Sequence, residues 1–215
     1  MNHPMALRAP RSAESLTIRM MGDPVLRQRA RLLTAEEIAR EATQEMIEAM
    51  RETMRHAPGV GLAAPQIGLP LQVAVIEDRE VSMRELSARQ RKERERKPVP
   101  FHVIVNPVLT LESPPEVEFF EGCLSLPGYL AVVPRARTVK VECLDHRGRP
   151  RTIHASGWYA RILQHEIDHL AGAVYLDRMR SATFTSLENY KRFALAAAIK
   201  NTPAAPGPKQ PRGPH

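Results

Sequence analysis

The chain has 215 residues, of which 43% are hydrophobic and 26% charged, and these proportions are ordinary for a globular protein with one main domain. It has no apolar run of about 18 residues and no continuous apolar segment near the N-terminus, which argues against a membrane-spanning helix and a secretory signal. The net charge is +7 and two cysteines are too few for a disulfide framework, so we expect a reducing, cytoplasmic compartment. The basic, acid-poor first residues leave an organellar location open.

The first third of the sequence predicts a helix followed by an apolar loop. Residues 1–17 show no periodicity, which predicts a loose N-terminal arm ahead of a single domain at 18–200. Thr34 and Glu37 form a capping-box pattern, and the helix that they start carries an apolar residue every fourth position until it ends at His56. Residues 59–68 combine glycines and a proline with apolar residues, so we expect a packed irregular loop whose backbone groups are available for binding.

The middle of the sequence predicts several short strands and one insertion. Residues 84–97 carry many charges of both signs without interleaved aromatic residues, which favours a solvated insertion over a nucleic-acid groove. Asn106-Pro107 is expected to end a strand, residues 117–120 are expected to pair with 108–111, and 121–128 break regularity. Strands without alternating helices indicate the α+β class. The predicted strands are 71–76, 101–105, 108–111, 117–120, 139–144 and 151–154, the last two forming a hairpin.

The sequence of residues 158–170 predicts a buried helix, because such a helix would be apolar on nearly every side. The same segment contains the pattern H-E-x-x-H. His165 and His169 lie about 40° apart around the axis, so both imidazoles leave one face and can hold one metal ion. Glu166 can reach a metal-bound water without being a ligand. Two imidazoles and a carboxylate are costly in an apolar interior unless they are paired, so the pattern favours the metal site of a hydrolase over histidines that only fill the core. The residues expected to bound the helix are Ser156 and Gly172.

A catalytic site of this kind needs a third protein ligand and one open position. The continuation H-x-x-G-x-x-H fails because Tyr175 occupies its last position. Glu188 is the downstream candidate and would make the protein a zinc endopeptidase. Cys123 is the upstream candidate, since a thiolate binds zinc or ferrous iron strongly, whereas Cys143 in a strand pattern is expected to be a core residue. A metal-stabilised binding protein without turnover is a third alternative, with His154 as the nearest fourth ligand.

Three motifs occur in a fixed order: G-V-G-L-A-A-P-Q at 59–66, E-G-C-L-S at 121–125 and Q-H-E-I-D-H at 164–169. Together they resemble peptide deformylase, the enzyme that removes the formyl group from the N-terminal methionine of new chains. The resemblance covers roughly residues 20–185. It implies an α+β fold of short antiparallel strands packed around a central buried metal-binding helix. It also implies one divalent metal ion, usually Fe²⁺, with Ni²⁺, Co²⁺ or Zn²⁺ as substitutes.

The resemblance also implies roles for individual residues. Glu166 would be the general base and then the acid that protonates the leaving amine, and Gly61 would hold the substrate backbone. The Gln66 side-chain amide and the Leu124 backbone N–H would form the oxyanion hole. Leu130 stands where many bacterial members carry an arginine that binds the substrate main chain. The implied metal ligands are Cys123, His165 and His169.

The sequence also suggests how the substrate is held and which partners the protein meets. Trp158 and Ile162 share the helix face of His165, and with Val60 they would line an apolar slot suited to a methionine side chain. The expected partners are N-formylmethionyl nascent peptides and, transiently, the ribosome; neither a membrane nor a sequence-specific nucleic acid is expected. The ribosome contact would use a basic helix at 187–200, and the tail at 201–215, with five prolines, is expected to be disordered. The basic residues of that helix are Lys191, Arg192 and Lys200.

Overall fold

The computed structural model describes residues 16–194, so residues 1–15 of the predicted arm, the end of the predicted last helix and the predicted tail lie outside it. The described helices are α1 (Ala35–Ala39), α2 (Glu41–His56), α3 (Ala88–Glu93), α4 (Gly157–Leu170) and α5 (Leu187–Asn189). The described strands are β1 (Gly61–Ala63), β2 (Val73–Asp78), β3 (Val99–Leu111), β4 (Val117–Cys123), β5 (Leu126–Arg135), β6 (Thr138–Leu144), β7 (Pro150–Ser156) and β8 (Thr185–Ser186).

The strands form two antiparallel sheets, one of five strands in the order β1-β2-β3-β6-β7 and one of three in the order β4-β5-β8. Alternate residues of β2 point to opposite faces of the larger sheet, and both faces are covered at this strand. Val73 and Val75 pack with the methionines of α2, whereas Ala74 and Ile76 pack with the apolar residues of α4. The predicted α+β class and the predicted central buried helix are both confirmed, and the predicted hairpin is present as β6 and β7.

The helix predicted to start at the capping box is two helices in the structure. The Thr34 hydroxyl accepts the N–H of Glu37, and the Glu37 carboxylate accepts the N–H of Thr34, which confirms the predicted cap. Arg40 then adopts an extended backbone, with φ −65° and ψ 139°, which ends α1 and starts α2. The Thr43 hydroxyl donates to the Glu37 carbonyl, so this carbonyl at the end of α1 keeps a partner despite the break.

Asn106-Pro107 does not end a strand, contrary to the prediction, because β3 continues through it. The pairing of β3 with β6 shifts register between Val105 and Val108, and Asn106 has a φ of +52°. The Asn106 side chain exchanges two hydrogen bonds with the backbone of Leu33, which holds the chain in this bulge. A bulge tolerates proline because no ladder hydrogen bond is required there.

Residues 117–120 do not pair with 108–111, and this prediction was also wrong. They belong to β4, which pairs with β5 through a tight turn at Leu124 and Ser125. The glycines and proline near this turn suggested irregular structure, but they lie in a hairpin. Its first strand ends at Cys123.

Three further predictions concern the ends and the insertion. The predicted last helix is only a short α5 followed by a π-helical turn, Tyr190–Ala194, within the described residues. Residues 79–98, which include the predicted solvated insertion, carry α3 and bury Met83 completely. Ser156 and Gly172 do bound α4, but the Ser156 side chain makes no capping hydrogen bond. None of the described helices is both long and apolar enough to cross a lipid bilayer.

Candidate metal centre

Cys123, His165 and His169 converge on one point beside the start of the β4–β5 turn. Cys123 is the last residue of β4, and the two histidines lie one turn apart on α4. The potential ligand atoms of the three residues all lie within 4.8 Å of one another, and Cys123 Sγ is 3.2 Å from His169 Nε2. One thiolate and two imidazoles suit a divalent transition metal, and three protein ligands leave one position open.

Neither of the other ligand candidates joins this cluster within residues 16–194. Glu188 lies exposed on α5. His154 lies on β7, where its Nδ1 is 3.4 Å from a carboxylate oxygen of Glu112. The downstream glutamate that an endopeptidase of the predicted type requires is therefore not at the cluster.

The surroundings of Cys123 favour its thiolate form. Burial alone opposes ionisation, but the neighbouring His169 and His165 lower the pKa of the Cys123 thiol well below its usual value. Gln66 Nε2 and the backbone N–H of Ser125 each donate to Cys123 Sγ at 3.4 Å. The thiolate is the form in which cysteine binds a metal. Cys143 differs, because it is buried in β6 and burial raises its pKa.

A buried ionic network orients His165. Glu121 Oε2 lies 3.0 Å from His165 Nδ1, which leaves Nε2 as the ring nitrogen available to a metal. Arg135 donates two hydrogen bonds of 3.0 Å to Glu121, and Arg161 donates another of 2.6 Å. Arg135 also pairs with Asp168 of α4. The carboxylate that fixes the histidine ring is thus itself fixed between two guanidinium groups.

Glu166 is buried next to the cluster with one carboxylate oxygen unpaired. Among the described residues, neither Glu166 Oε2 nor His169 Nδ1 has a hydrogen-bond partner. Burial raises the pKa of Glu166 to about 7. Native proteins seldom leave a buried carboxylate oxygen unsatisfied unless it has a functional role. A thiolate, two imidazoles and this carboxylate therefore fit a divalent ion with catalytic use.

The loop after α2 brings two more predicted residues to the site. A Cβ atom built on Gly61 would overlap the Glu166 carboxylate, so only glycine lets β1 approach α4 this closely. Gln66 is buried, and its Oε1 accepts the N–H of Ala63 at 2.9 Å. This bond turns the Gln66 amide N–H groups toward Cys123 Sγ and the hydroxyl of Ser125.

A cavity of about 410 Å³ opens beside the cluster. The apolar slot expected from the sequence, formed by Val60, Trp158 and Ile162, is part of its wall, and so is Leu130. His169 lies beneath the cavity and is 1% exposed. The fold therefore brings together the residues to which the resemblance and the apolar-slot prediction gave roles, but not the alternative ligands Glu188 and His154. Those that line the cavity are Val60, Gly61, Gln66, Cys123, Leu124, Trp158, Ile162, His165 and Glu166.

The sequence did not point to the residues that support the site. Arg161 could have been found, since a charged residue inside a helix predicted to be buried must have a partner. Glu121 precedes the motif cysteine but carries no local pattern that pairs it with a histidine on a distant helix. Tyr129 and Leu187 also line the cavity, and they come from β5 and α5, whose arrangement no local periodicity reveals.

The family model described as polypeptide deformylase matches residues 15–184 of the chain. The chain is 47% identical over 168 residues to the peptide deformylase 1A, chloroplastic, of Solanum lycopersicum, covering 78% of this chain and 61% of the relative. It is 42% identical over 167 residues to the mitochondrial peptide deformylase of Homo sapiens, covering 78% and 69%. It is also 45% identical over 173 residues to peptide deformylase 3 of Streptomyces avermitilis, covering 80% and 75%.

The fold agrees with solved structures of the same name. A class I type b peptide deformylase from Acinetobacter baumannii, bound to Met-Ala-Ser, superposes with a TM-score of 0.68 at 30% identity, covering 77% of this chain and 99% of that one. The chain spans only 61% and 62% of the lengths of the tomato and Arabidopsis thaliana relatives.

Proposed function

Because the chain belongs to the polypeptide deformylase family, we propose that it hydrolyses the formyl amide of N-formylmethionyl polypeptides and releases formate. One observation carries the proposal: Cys123, His165, the buried carboxylate of Glu166 and the amide of Gln66 line one cavity, and His169 completes the Cys–His–His donor set next to it. A formyl amide is an unactivated carbonyl. Its hydrolysis needs an activated water, donors for the developing oxyanion and a proton for the leaving amine.

Glu166 would carry the proton through the reaction. A divalent ion held by the cluster would lower the pKa of a water molecule and polarise the formyl carbonyl. Glu166 would accept a proton from the attacking water, since its pKa of about 7 lets it bind and release protons near neutral pH. It would then give this proton to the amide nitrogen as the C–N bond breaks, which yields formate and the free amine.

The remaining residues would hold the oxyanion and the peptide. The Gln66 amide and the Leu124 backbone N–H would donate to the developing oxyanion, each contributing about 3 kcal/mol in comparable sites. β1 lies at the edge of the five-stranded sheet, so backbone groups of Gly61 can pair with an extended peptide. The apolar slot would receive the methionine side chain, whose unbranched thioether adapts to such a pocket.

We propose Fe²⁺ as the ion, with Ni²⁺, Co²⁺ and Zn²⁺ as substitutes, because a thiolate with two imidazoles suits these metals. Cys123→Ser should lose most bound metal when the purified protein is analysed for metal content. Cys143→Ala is the matched control, because that cysteine is also buried but lies in β6 away from the cluster, and it should keep its metal. Full metal content in Cys123→Ser would contradict the ligand assignment.

We also propose a bacterial cytoplasmic setting and a transient contact with the ribosome, where formylated chains emerge. The support for the ribosome contact is charge: Lys191 and Arg192 lie exposed after α5, and Lys200 follows in the sequence. Lys191→Glu with Arg192→Glu should reduce co-sedimentation with ribosomes, and the loss should be greater at low salt. Unchanged co-sedimentation would remove the contact from the proposal.

Formate release from formyl-Met-Ala-Ser tests the reaction itself. The protein would be purified without oxygen and loaded with Fe²⁺ or Ni²⁺, because a ferrous thiolate site is sensitive to oxidation. Wild type should release formate and Glu166→Ala should not, although the variant should still bind metal. No release by folded, metal-loaded wild type would overturn the proposal, and equal release by Glu166→Ala would overturn the role of Glu166.

A further inference from the structure

The segment between β2 and β3, residues 79–98, is folded against the rest of the protein, and we call it the strap. It contains α3, which starts at a capping box of Ser87 and Gln90, and it buries Met83 completely. Its last part passes over the first turn of α4, the helix that carries the two histidines. The strap is therefore positioned to act on α4 from outside the cavity.

Arg96 anchors the end of the strap to the large sheet. Its guanidinium donates two hydrogen bonds to the Asp78 carboxylate, of 2.7 and 2.9 Å, and the two side chains are only 9% and 1% exposed. Asp78 is the last residue of β2. A planar two-bond contact fixes the direction of the arginine side chain as well as its position, which a lysine in its place would not do.

The strap also caps α4. The N-cap residue Ser156 makes no side-chain capping bond, whereas the backbone N–H of Trp158 donates to the carbonyl of Arg94 at 2.9 Å. Gly157 packs directly on the strap, because a Cβ atom there would lie 2.8 Å from the Arg94 carbonyl oxygen and would overlap the side chain of Glu95. One of the free N–H groups at the start of α4 is thus satisfied by the strap.

The side chains of the strap hold the ring of Trp158. The guanidinium carbons of Arg94 and Arg96 lie 5.2 and 5.1 Å from its ring centroid, and that of Arg161 lies 5.8 Å away. Guanidinium groups at these distances are attracted to an aromatic face. Trp158 lines the cavity, but the two strap arginines are not among its lining residues. Both arginines therefore reach the ring without bordering the cavity.

We propose that Arg96 is a positioning residue for substrate selection. Through its pair with Asp78 it holds the strap on α4. Through the strap, and through its own guanidinium 5.1 Å from the ring centroid, it fixes the Trp158 ring that forms a wall of the apolar slot. This inference rests on the proposed function, since it concerns which first side chain of a formyl peptide the slot accepts. Arg96 itself contacts neither the cluster nor the cavity.

Loss of the anchor should change selectivity more than turnover. In Arg96→Met, the KM for formyl-Met-Ala-Ser should rise. The ratio of kcat/KM between formyl-Met and formyl-Phe peptides should change by about five-fold or more, because a more mobile Trp158 ring distinguishes less well between side chains of different shape. The kcat for formyl-Met peptide should change less than two-fold or so, since the metal ligands and Glu166 keep their positions. Asp78→Asn should act in the same direction.

Trp158 is the only tryptophan in the chain, so its fluorescence reports the strap independently of activity. Acrylamide quenching of metal-loaded Arg96→Met should be faster than in wild type. Arg94→Met is a second variant that keeps the Asp78 pair and removes one guanidinium from the ring, and it should shift quenching and selectivity less. Arg89→Met is the matched control: it removes a strap arginine whose pair with Glu93 is exposed, and it should match wild type.

Two outcomes would overturn the proposal. One is a folded Arg96→Met with wild-type quenching and an unchanged selectivity ratio. The other is an equal loss of kcat for all peptides at unchanged ratio, which would make Arg96 merely structural. If Arg96→Met does not fold, wild-type selectivity and quenching in a folded Asp78→Asn would overturn it instead, because that variant removes the same pair. If wild type releases no formate, the proposed function fails, whereas the fluorescence still decides whether the strap fixes Trp158.

Discussion

Replacing Glu121 by glutamine would test how the site orients its proposed metal ligands. The substitution keeps the size of the side chain and removes one negative charge from a buried cluster. Glu121 accepts hydrogen bonds from Arg135 and Arg161 and contacts Nδ1 of His165, and the arginine and glutamate side chains are only 3–4% exposed. Burial alone would raise the pKa of Glu121, but His165 and Arg135 hold it well below its usual range, so the group is ionised at neutral pH.

The expected effect has two parts. Removing one partner of a buried ion pair costs about 3–5 kcal/mol, because the other charge stays buried without compensation. Two guanidinium groups lose their carboxylate in Glu121→Gln, so we expect the free energy of unfolding to fall by about this amount. Loss of the group that orients a metal-binding histidine lowers metal affinity about 10–100-fold. Metal affinity should therefore fall even at temperatures where the variant is fully folded.

Chelator competition measures the affinity, and denaturant unfolding of the metal-loaded and metal-free protein measures the stability. Glu118→Gln is the matched control, since Glu118 lies on the same strand and pairs with Arg180, but both side chains are largely exposed at 44% and 62%. An exposed pair contributes only about 0–1 kcal/mol, so this variant should keep metal and stability. A folded Glu121→Gln with wild-type metal affinity would refute the role assigned to the network.

Three further predictions concern other parts of the molecule. Gly61→Ala should lower formate release about 100-fold in steady-state assays, because the added methyl group displaces Glu166, and near-normal release would contradict this. Trp158→Ala should change the preference among formyl-Met, formyl-Leu and formyl-Phe peptides, and an unchanged order of kcat/KM would exclude the slot. Asp145 is held by Arg149: burial alone would raise its pKa, but hydrogen bonds lower it to about 2. This pKa lies below the unfolded value of about 3.9, so the ionised form of Asp145 stabilises the fold. The difference in free energy of unfolding between wild type and Asp145→Asn should be full above pH ~4 and disappear as the pH falls through 2. Unfolding titrations that give the same difference at every pH would contradict this.

The parts of the site that the sequence predicts are those encoded by neighbouring residues. His165, Glu166 and His169 lie on one helix, whose geometry fixes their relation before any tertiary contact is known. Thr34 and Glu37 likewise form a cap within four residues. The position of Cys123 relative to this helix was available only through the resemblance of three motifs, because no spacing rule connects a strand end to a helix more than 40 residues later.

The errors have a different cause, since in each case the contact that decides the structure is not visible in the local pattern. Asn106 continues a strand because its side chain binds the backbone of Leu33, 73 positions away. β4 pairs with β5 through a turn at Leu124 and Ser125, and the glycines and proline that flank this turn are typical of irregular loops. The charges of the strap suggested a solvated insertion, but Arg96 forms a buried ion pair with Asp78. Local patterns reveal the residue types in each case but not the partner that decides the structure.

The buried polar residues of α4 explain how the proposed metal ligands are brought together from two separate elements. Gln164 accepts the backbone N–H of Ala136 at 3.0 Å and donates to its carbonyl at 2.9 Å, and Arg161 donates to the carbonyl of Val133. These bonds fix α4 against the end of β5 and the residue that follows it. A shift by one residue would leave buried donors and acceptors unpaired, at a cost of about 1–3 kcal/mol each. Since β5 is paired with β4, the same bonds also set the distance from Cys123 to the histidines. This contact gives Gln164, the first residue of the Q-H-E-I-D-H motif, a structural role.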